Sequence, residues 1–348
     1  MPRSANSRSN GDATLDDVAR RARVSTATVS RVLNGSERVR SATRQRVLHA
    51  VEELSYTPDL NARSLAGAQT RSIGMIVSNI TNPFFLDIFH SVEAGVRQRG
   101  HDLIVVNTDY SRDRLAASVT NLLGRRVAGL ALVVSETVPR VVSTLGGKLP
   151  IVLYDGGGHR LRNVTNIRAN YRGGMQRIME YLYGLGHRRM AFIGHHTDLG
   201  PLHERREAFL AVAAEYAPAV KVMTVTSADG MPGGQLAMRQ VLDSGFRPTA
   251  VACVNDLMAM GALRELHTRG VSVPGDVSVT GFDNISLTEF AVPSLTTADV
   301  PRETIGRLIC EALMPTGHGP PPGVDVVVET ALVVRDSTAR PPGRRRRG

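Results

Sequence analysis

The chain has no tryptophan, and only eight phenylalanines and seven tyrosines in 348 residues. Its cores must therefore rest on aliphatic side chains. Cysteine occurs twice, as Cys253 and Cys310, both in apolar surroundings. Neither has metal-ligand or redox spacing, so both read as buried small residues in a reducing cytoplasm. No stretch approaches the ~18 to 20 consecutive apolar residues of a membrane span. The first thirteen residues, MPRSANSRSNGDA, are polar with no apolar centre, which excludes a signal peptide. Reactive constellations are missing too: there is no nucleophilic serine elbow, no catalytic Cys–His arrangement and no cluster of metal ligands. Gly156, Gly157 and Gly158 lack the following Lys-Ser/Thr of a nucleotide loop and read as a tight turn. His195 and His196 have no matching Cys or His cluster. No catalytic residue, metal or cofactor is expected, and the chain is not expected to be an enzyme.

What charge there is sits unevenly. The net charge is +10, yet residues 72–339 are balanced at 25 basic and 25 acidic. Residues 1–71 carry 12 Arg against 7 acids, and residues 340–348 carry 5 Arg. A neutral body with a basic end suits contact with phosphates. Residues 1–13 and the tail 339–348 read as disordered, because they add charge without apolar surface.

Residues 14–34, TLDDVARRARVSTATVSRVLN, pattern as two short helices at a tight turn. Thr14 and Asp17 stand in a capping-box relation, and Leu15, Val18, Ala19 and Ala22 form one apolar face. Ser25 is the expected N-cap of the second helix. Val29, Val32 and Leu33 face inward, leaving Thr26, Ala27, Ser30 and Arg31 outside. Asn34 and Gly35 end that helix. A third helix is expected from Ser41, as N-cap, to Leu54, with Val47, Leu48, Val51 and Leu54 as its stripe. Small hydrogen-bonding side chains at the exposed start of a second helix are what a major-groove reading helix needs. By itself the pattern also fits a surface helical hairpin with no ligand.

From residue 73 the chain alternates apolar runs with helical patterns. IGMIV (73–77), DLIVV (102–106), GLALVV (129–134) and PIVLY (150–154) read as buried strands, with helices near 84–99, 112–125 and 138–146. The alternation resumes with RMAFIG (189–194), VKVMTV (220–225), AVACV (250–254) and VSVTG (277–281). Continuous apolar strands separated by helices imply two parallel, doubly wound α/β sheets. Ligands in such sheets bind beyond the carboxyl ends of the strands. The loops there hold Asn82, Phe84 and Phe85; Asp155; Asn255 and Asp256; and Phe282 with Asp283.

Several segments resemble the LacI/GalR family of transcriptional regulators, in that family's order over residues 14 to about 338. They are VSTATVSRVLN, Tyr56-Thr57-Pro58, NARSLA (61–66), IGMIVSNITNPFF, GHRRMAFIG (186–194), VNDLMAMGAL (254–263), VSVTGFDN (277–284), PSLTT (293–297) and VVRDST (333–338). The resemblance implies a three-helix helix-turn-helix domain at 14–57, a hinge helix at 58–71 and a two-lobed, periplasmic-binding-protein-like core at 72–338. The first lobe would take about 72–167 and 300–323, the second about 168–299 and 324–338. One departure is Ala169, where relatives usually carry an acid.

The resemblance also implies roles. Thr26, Ala27 and Arg31 would read base edges, with Ser30 beside them. Thr14, Ser25, Asn34 and Tyr56 would hold the DNA backbone, and Asn61, Arg63 and Leu65 would act from the hinge. Leu65 is the wedge at the minor groove of a palindromic operator. A hinge of about two and a half turns is marginal in water and is expected to be helical only on DNA. Asn82, Phe84, Phe85, Asp155, Arg205, Asn255, Asp256 and Asp283 would hold a small sugar-like effector, with Arg206 the alternative to Arg205. Partners are then double-stranded operator DNA, an effector and a second copy; with no leucine heptad past 338, a dimer is favoured over a tetramer. The chain is then expected to repress carbohydrate-utilisation genes and to be released by a sugar-like inducer, the alternative being a corepressor-dependent repressor that takes a non-sugar metabolite; the sequence identifies neither the effector nor its sign. The rival reading, a periplasmic sugar-binding protein, shares the core but lacks a use for residues 14–66.

Overall fold

In the computed structural model, residues 13–33, 36, 38–57, 71–136, 142, 149–155, 164–197, 200–315 and 323–342 are described. The chain divides into two units, Met1–Gln69 and Thr70–Gly348.

The first unit is three helices: α1 (Leu15–Ala22), α2 (Thr26–Leu33) and α3 (Ser41–Glu53). The capping box forms as expected, with Asp17 N donating to Thr14 Oγ1 at 3.2 Å and Thr14 N to Asp17 Oδ2 at 3.0 Å. Arg23 takes the left-handed conformation at φ 55° and ends α1. The chain then turns at once into α2, capped by Ser25, whose Oγ accepts from Thr28 N at 3.3 Å. Val18, Ala19, Ala22, Val29, Val32, Val47 and Ala50 form the core, with Leu15, Val24, Leu33, Val51, Leu54 and Tyr56 packed around it. Two expectations for α3 need correction. Ser41 is its first helical residue, behind an Arg40 cap with no side-chain bond. Leu48 is 49% exposed, and Ala50 fills the core position instead, one turn after Val47.

The second unit begins with β1 (Ser72–Val77), α4 (Pro83–Gln98), β2 (Asp102–Asn107), α5 (Arg112–Gly124), β3 (Gly129–Val133), β4 (Ile151–Tyr154) and β5 (Val164–Ala169). The chain then crosses to α6 (Tyr171–Leu185), β6 (Arg189–His195), α7 (Gly200–Glu215), β7 (Lys221–Ser227), α8 (Gly230–Asp243), β8 (Ala250–Cys253), α9 (Asp256–Thr268), β9 (Ser278–Thr280) and α10 (Leu287–Phe290). It returns through β10 (Thr297–Asp299) to α11 (Arg302–Leu313) and β11 (Asp325–Val328), and crosses last at β12 (Ala331–Val333). The first sheet has the order β11-β5-β4-β3-β1-β2 and the second β7-β6-β8-β9, every pairing parallel. The crossing strands β10 and β12 pair antiparallel. Each lobe is thus a sheet covered by helices, and three segments join them.

Three corrections follow. Strand β5 was hidden in the sequence, because Asn166 and Arg168 interrupt its apolar run. Strand β11 pairs with β5, so 325–328 belongs to the first lobe, not the second. Of the tail expected to be disordered, residues 339–342 are described and held down: the Ala339 N–H donates to Ser278 Oγ at 3.0 Å, and its carbonyl meets His187 Nε2 at 2.9 Å; residues 343–348 lie outside the described residues. The helix expected at 138–146 lies, apart from Val142, outside the described residues, as does the glycine turn 156–158.

Candidate functional site

The carboxyl ends of both sheets face one cleft, lined by Asn82, Phe84, Phe85, Tyr110, Ser135, Tyr154, Asp155, Tyr171, Leu202, Arg205, Asn255 and Asp283 among others. From the first lobe, Asn82 caps α4 and accepts from Phe84 N at 3.0 Å. That cap stands Phe84 and Phe85 edge to face, their centroids 5.3 Å apart, with Phe84 6.2 Å from Tyr154. Asp155 follows β4 with φ 58°. Its carboxylate accepts from the Tyr171 hydroxyl and, at 3.4 Å, from Ala169 N. The Tyr154 and Tyr171 hydroxyls meet at 2.7 Å. Burial is the main influence on Asp155 and lifts its pKa to about 7, although the Tyr171 hydrogen bond and the Arg205 charge oppose it.

From the second lobe, Arg205 of α7 reaches Asp283 Oδ1 at 2.9 Å and the Val254 carbonyl at 2.7 Å. Its guanidinium lies 4.4 Å from the Tyr171 ring centroid and 4.2 Å from that of Phe282. Of the two neighbouring arginines, Arg205 lines the cleft and Arg206 does not. Asp283 holds φ 113°. Burial raises it to about 6, against the pull of Arg205 and Arg302. Asp155 and Asp283 both occupy backbone conformations that cost a non-glycine residue free energy, as positions that aim a functional side chain often do. Asn255 caps α9, accepting from Met258 N at 2.9 Å, and its amide donates to Asp229 Oδ1 at 2.9 Å.

Asp256 is a correction. It is fully buried and does not line the cleft. One oxygen accepts from Ile285 N at 2.8 Å and the other from the Thr297 hydroxyl at 2.6 Å, so it ties the 282–297 segment to α9. The adjacent Asn255 occupies the cleft wall in its place. Sequence reasoning missed Tyr110, Ser135, Tyr154, Tyr171 and Leu202. Tyr110 and Ser135 lie in loops after strands, where the strand-end rule already pointed.

The free space among these side chains measures about 30 Å³, room for a water or two. Acceptors and amides beside aromatic rings can bind paired hydroxyls and cover an apolar face. His195 and His196 stack at 4.5 Å. Among the described residues no group of three His, Cys, Asp or Glu converges as a metal site.

In the first unit, Ser25, Ala27 and Arg31 are exposed at and after the start of α2, and Thr26 and Ser30 are half-buried. Arg23, Arg31, Arg38, Arg40 and Arg46 are exposed without an ion pair among the described residues. Thr14 spends its hydroxyl on Asp17 at 2.6 Å, and Tyr56 packs against the helical core. Asn34, Asn61, Arg63 and Leu65 lie outside the described residues.

Residues 14–59 match the model of bacterial regulatory proteins, lacI family, and residues 179–338 match a periplasmic binding protein-like domain. The chain is 35% identical over 305 residues to the HTH-type transcriptional repressor PurR of Proteus mirabilis (strain HI4320), covering 87% of this chain and 89% of that one. This chain belongs to the LacI family. A second LacI-family relative, the ribose operon repressor of Haemophilus influenzae, is 32% identical over 327 residues, covering 93% of this chain and 98% of the relative. The Lac repressor dimer bound to operator and the anti-inducer ONPF superposes with a TM-score of 0.79 at 26% identity, over 94% of this chain and all of that one. The LacI-family helix-turn-helix and the two-lobed core are therefore a DNA-binding regulator and its effector-binding body, and the relatives are repressors, not enzymes.

Proposed function

We propose that this LacI-family regulator represses carbohydrate-utilisation genes. It binds a palindromic operator as a homodimer in the cytoplasm, and a small sugar-like inducer in the cleft releases it. The observation that carries the effector class is the cleft itself. Asp155, Asp283, Asn82 and Asn255 offer hydrogen-bonding groups to hydroxyls, and Phe84, Phe85 and Tyr154 offer ring faces. The likeness to a ribose operon repressor supports the same class. Exposed Ala27 in the first turn of α2 and exposed Arg31 in its last turn support base-edge contact, Ala27 by apolar packing on a thymine methyl and Arg31 by hydrogen bonding.

A second copy has a face to cover. Phe290 is 81% exposed and Val292 94%, and they line a groove with Met231, Met260, Leu263 and Leu287. Contiguous exposed apolar surface of this kind marks an association site.

The test is fluorescence anisotropy on a labelled palindrome from upstream of the protein's own or a neighbouring gene, titrated with and without a panel of sugars. Tight, sequence-preferring binding that one sugar weakens is the expected result. Tightening by a ligand makes the cleft a corepressor site instead. Equal binding to scrambled DNA under every condition overturns the reading.

A further inference from the structure

Tyr110 follows β2 in the first lobe, and Asp229 precedes α8 in the second. The Tyr110 hydroxyl donates to Asp229 Oδ2 at 2.8 Å. The other oxygen of that carboxylate accepts from Asn255 at 2.9 Å, so Asp229 is fixed from its own side by a residue of the cleft wall. The Tyr110 ring lies 5.6 Å from the ring of His195, also on the second lobe. Both parts of the tyrosine therefore reach across. Asp109 and Tyr110 hold φ of 54° and 57° in succession, a left-handed pair in the loop after β2. Burial, helped by the neighbouring carboxylate, pushes the Tyr110 phenol far above its usual range, so it remains a donor. Neither residue belongs to the three crossing segments, and the contact is not a by-product of chain connection.

We propose that Tyr110 and Asp229 form a latch of the cleft, a direct lobe-to-lobe hydrogen bond that, beside the Tyr171–Asp155 bond, holds it shut and that an effector must exchange for bonds of its own. The inference takes the cleft as the effector site, as proposed above, but its test needs no effector. The free space in the cleft that Tyr110 lines is about 30 Å³, so a monosaccharide fits only after the lobes part. Parting leaves a phenol donor on one lobe and a carboxylate acceptor on the other. A ligand hydroxyl satisfies both, accepting from Tyr110 and donating to Asp229. A phosphate at that end has little to donate and repels the carboxylate, and an apolar end leaves two buried groups without partners.

The experiment is amide hydrogen exchange, read by mass spectrometry on the full ligand-free chain, for wild type, Tyr110→Phe, Asp229→Ala and the double variant. Tyr110→Phe removes one oxygen and keeps the ring against His195. Segments 82–85, 153–155 and 200–205 should exchange about five- to tenfold faster, as for the loss of one buried hydrogen bond. Strand β8 should keep its wild-type rate, which also shows that the variants fold. The double variant should open no further than Asp229→Ala alone. Wild-type exchange around the cleft in Tyr110→Phe, or effects that simply add, would overturn the proposal. A failure of every sugar to alter DNA binding would leave this result standing, so the two readings fail separately.

Discussion

Arg205 and Asp283 meet at 2.9 Å with only 5% and 4% of their side chains exposed. Taking two charges out of water costs several kcal/mol each, and the pair persists because its remaining groups are engaged. Arg205 also bonds the Val254 carbonyl and lies 4.4 Å from the Tyr171 ring centroid and 4.2 Å from that of Phe282. Removing one partner leaves the other buried and uncompensated. Arg205→Met should therefore cost about 3–5 kcal/mol, measured by urea denaturation of the full chain. Adding Asp283→Asn should restore much of that loss, because the second change removes the orphaned charge with a side chain that tolerates the positive φ of 113° at this position. An undiminished loss in the double variant would show that Arg205 matters for packing and not for charge.

The Asp155 carboxyl gives the core a dependence on pH. Its folded pKa is about 7, raised mainly by burial, against about 4 in an unfolded chain. The folded state then holds more protons than the unfolded one between those values. The contribution of Asp155 is complete below pH ~4 and is lost as the pH rises towards 7. Asp283, raised to about 6, acts in the same sense over a narrower window. Asp155→Asn keeps an acceptor for the Tyr171 hydroxyl but no longer titrates. Its thermal midpoint should gain on wild type steadily from pH 5 to pH 7 and then hold a constant lead. A constant difference from pH 5 to pH 8 would contradict the burial argument.

The runs IGMIV and GLALVV announced their strands because β1 and β3 are buried on both faces and need no polar residue. Strand β5 did not, since Arg168 is exposed and Asn166 spends its amide on Asp325. The same logic sorts the cleft. Asp155 and Asp283 were legible as polar residues just past apolar strands, and Arg205 through its resemblance to a family position. Asn255 and Asp256 looked alike, because sequence does not show which of two neighbours at a helix's start faces the cleft. The Tyr110–Asp229 contact joins residues 119 apart across two lobes, and no local pattern encodes it.

Helices α8 and α9 touch through glycine. A Cβ built on Gly234 would lie 2.0 Å from the Met258 carbonyl oxygen, and one on Gly261 2.0 Å from that of Met231. Backbone cannot give way as a side-chain tip can, so the helices must separate. Gly234→Ala and Gly261→Ala should each destabilise by roughly 1–3 kcal/mol or more, as overpacked cores do. Gly184 in α6 is the control. Nothing lies within 4 Å of its Cβ position, and alanine there should gain up to about 1 kcal/mol from helix propensity. Chemical denaturation of the three variants reads both signs; similar values for all three would remove the close-approach argument.

Within the helix-turn-helix, stability and recognition rest on different residues and should separate in experiment. Thr14 holds the start of α1 through its box with Asp17. Thr14→Ala should cost about 1 kcal/mol of stability in that unit, and should weaken all DNA sequences alike. Arg31 is exposed on α2 and carries no ion pair among the described residues. Arg31→Ala should leave the fold intact, since no core contact is lost. If Arg31 reads a base edge, the variant loses about 1–3 kcal/mol on the preferred operator and little on scrambled DNA. If it only neutralises a phosphate, both sequences weaken together and the slope of log affinity against log salt falls by about one. Anisotropy titrations on two sequences at several salt concentrations decide between these roles. A variant that binds both sequences as tightly as wild type would remove Arg31 from the interface altogether.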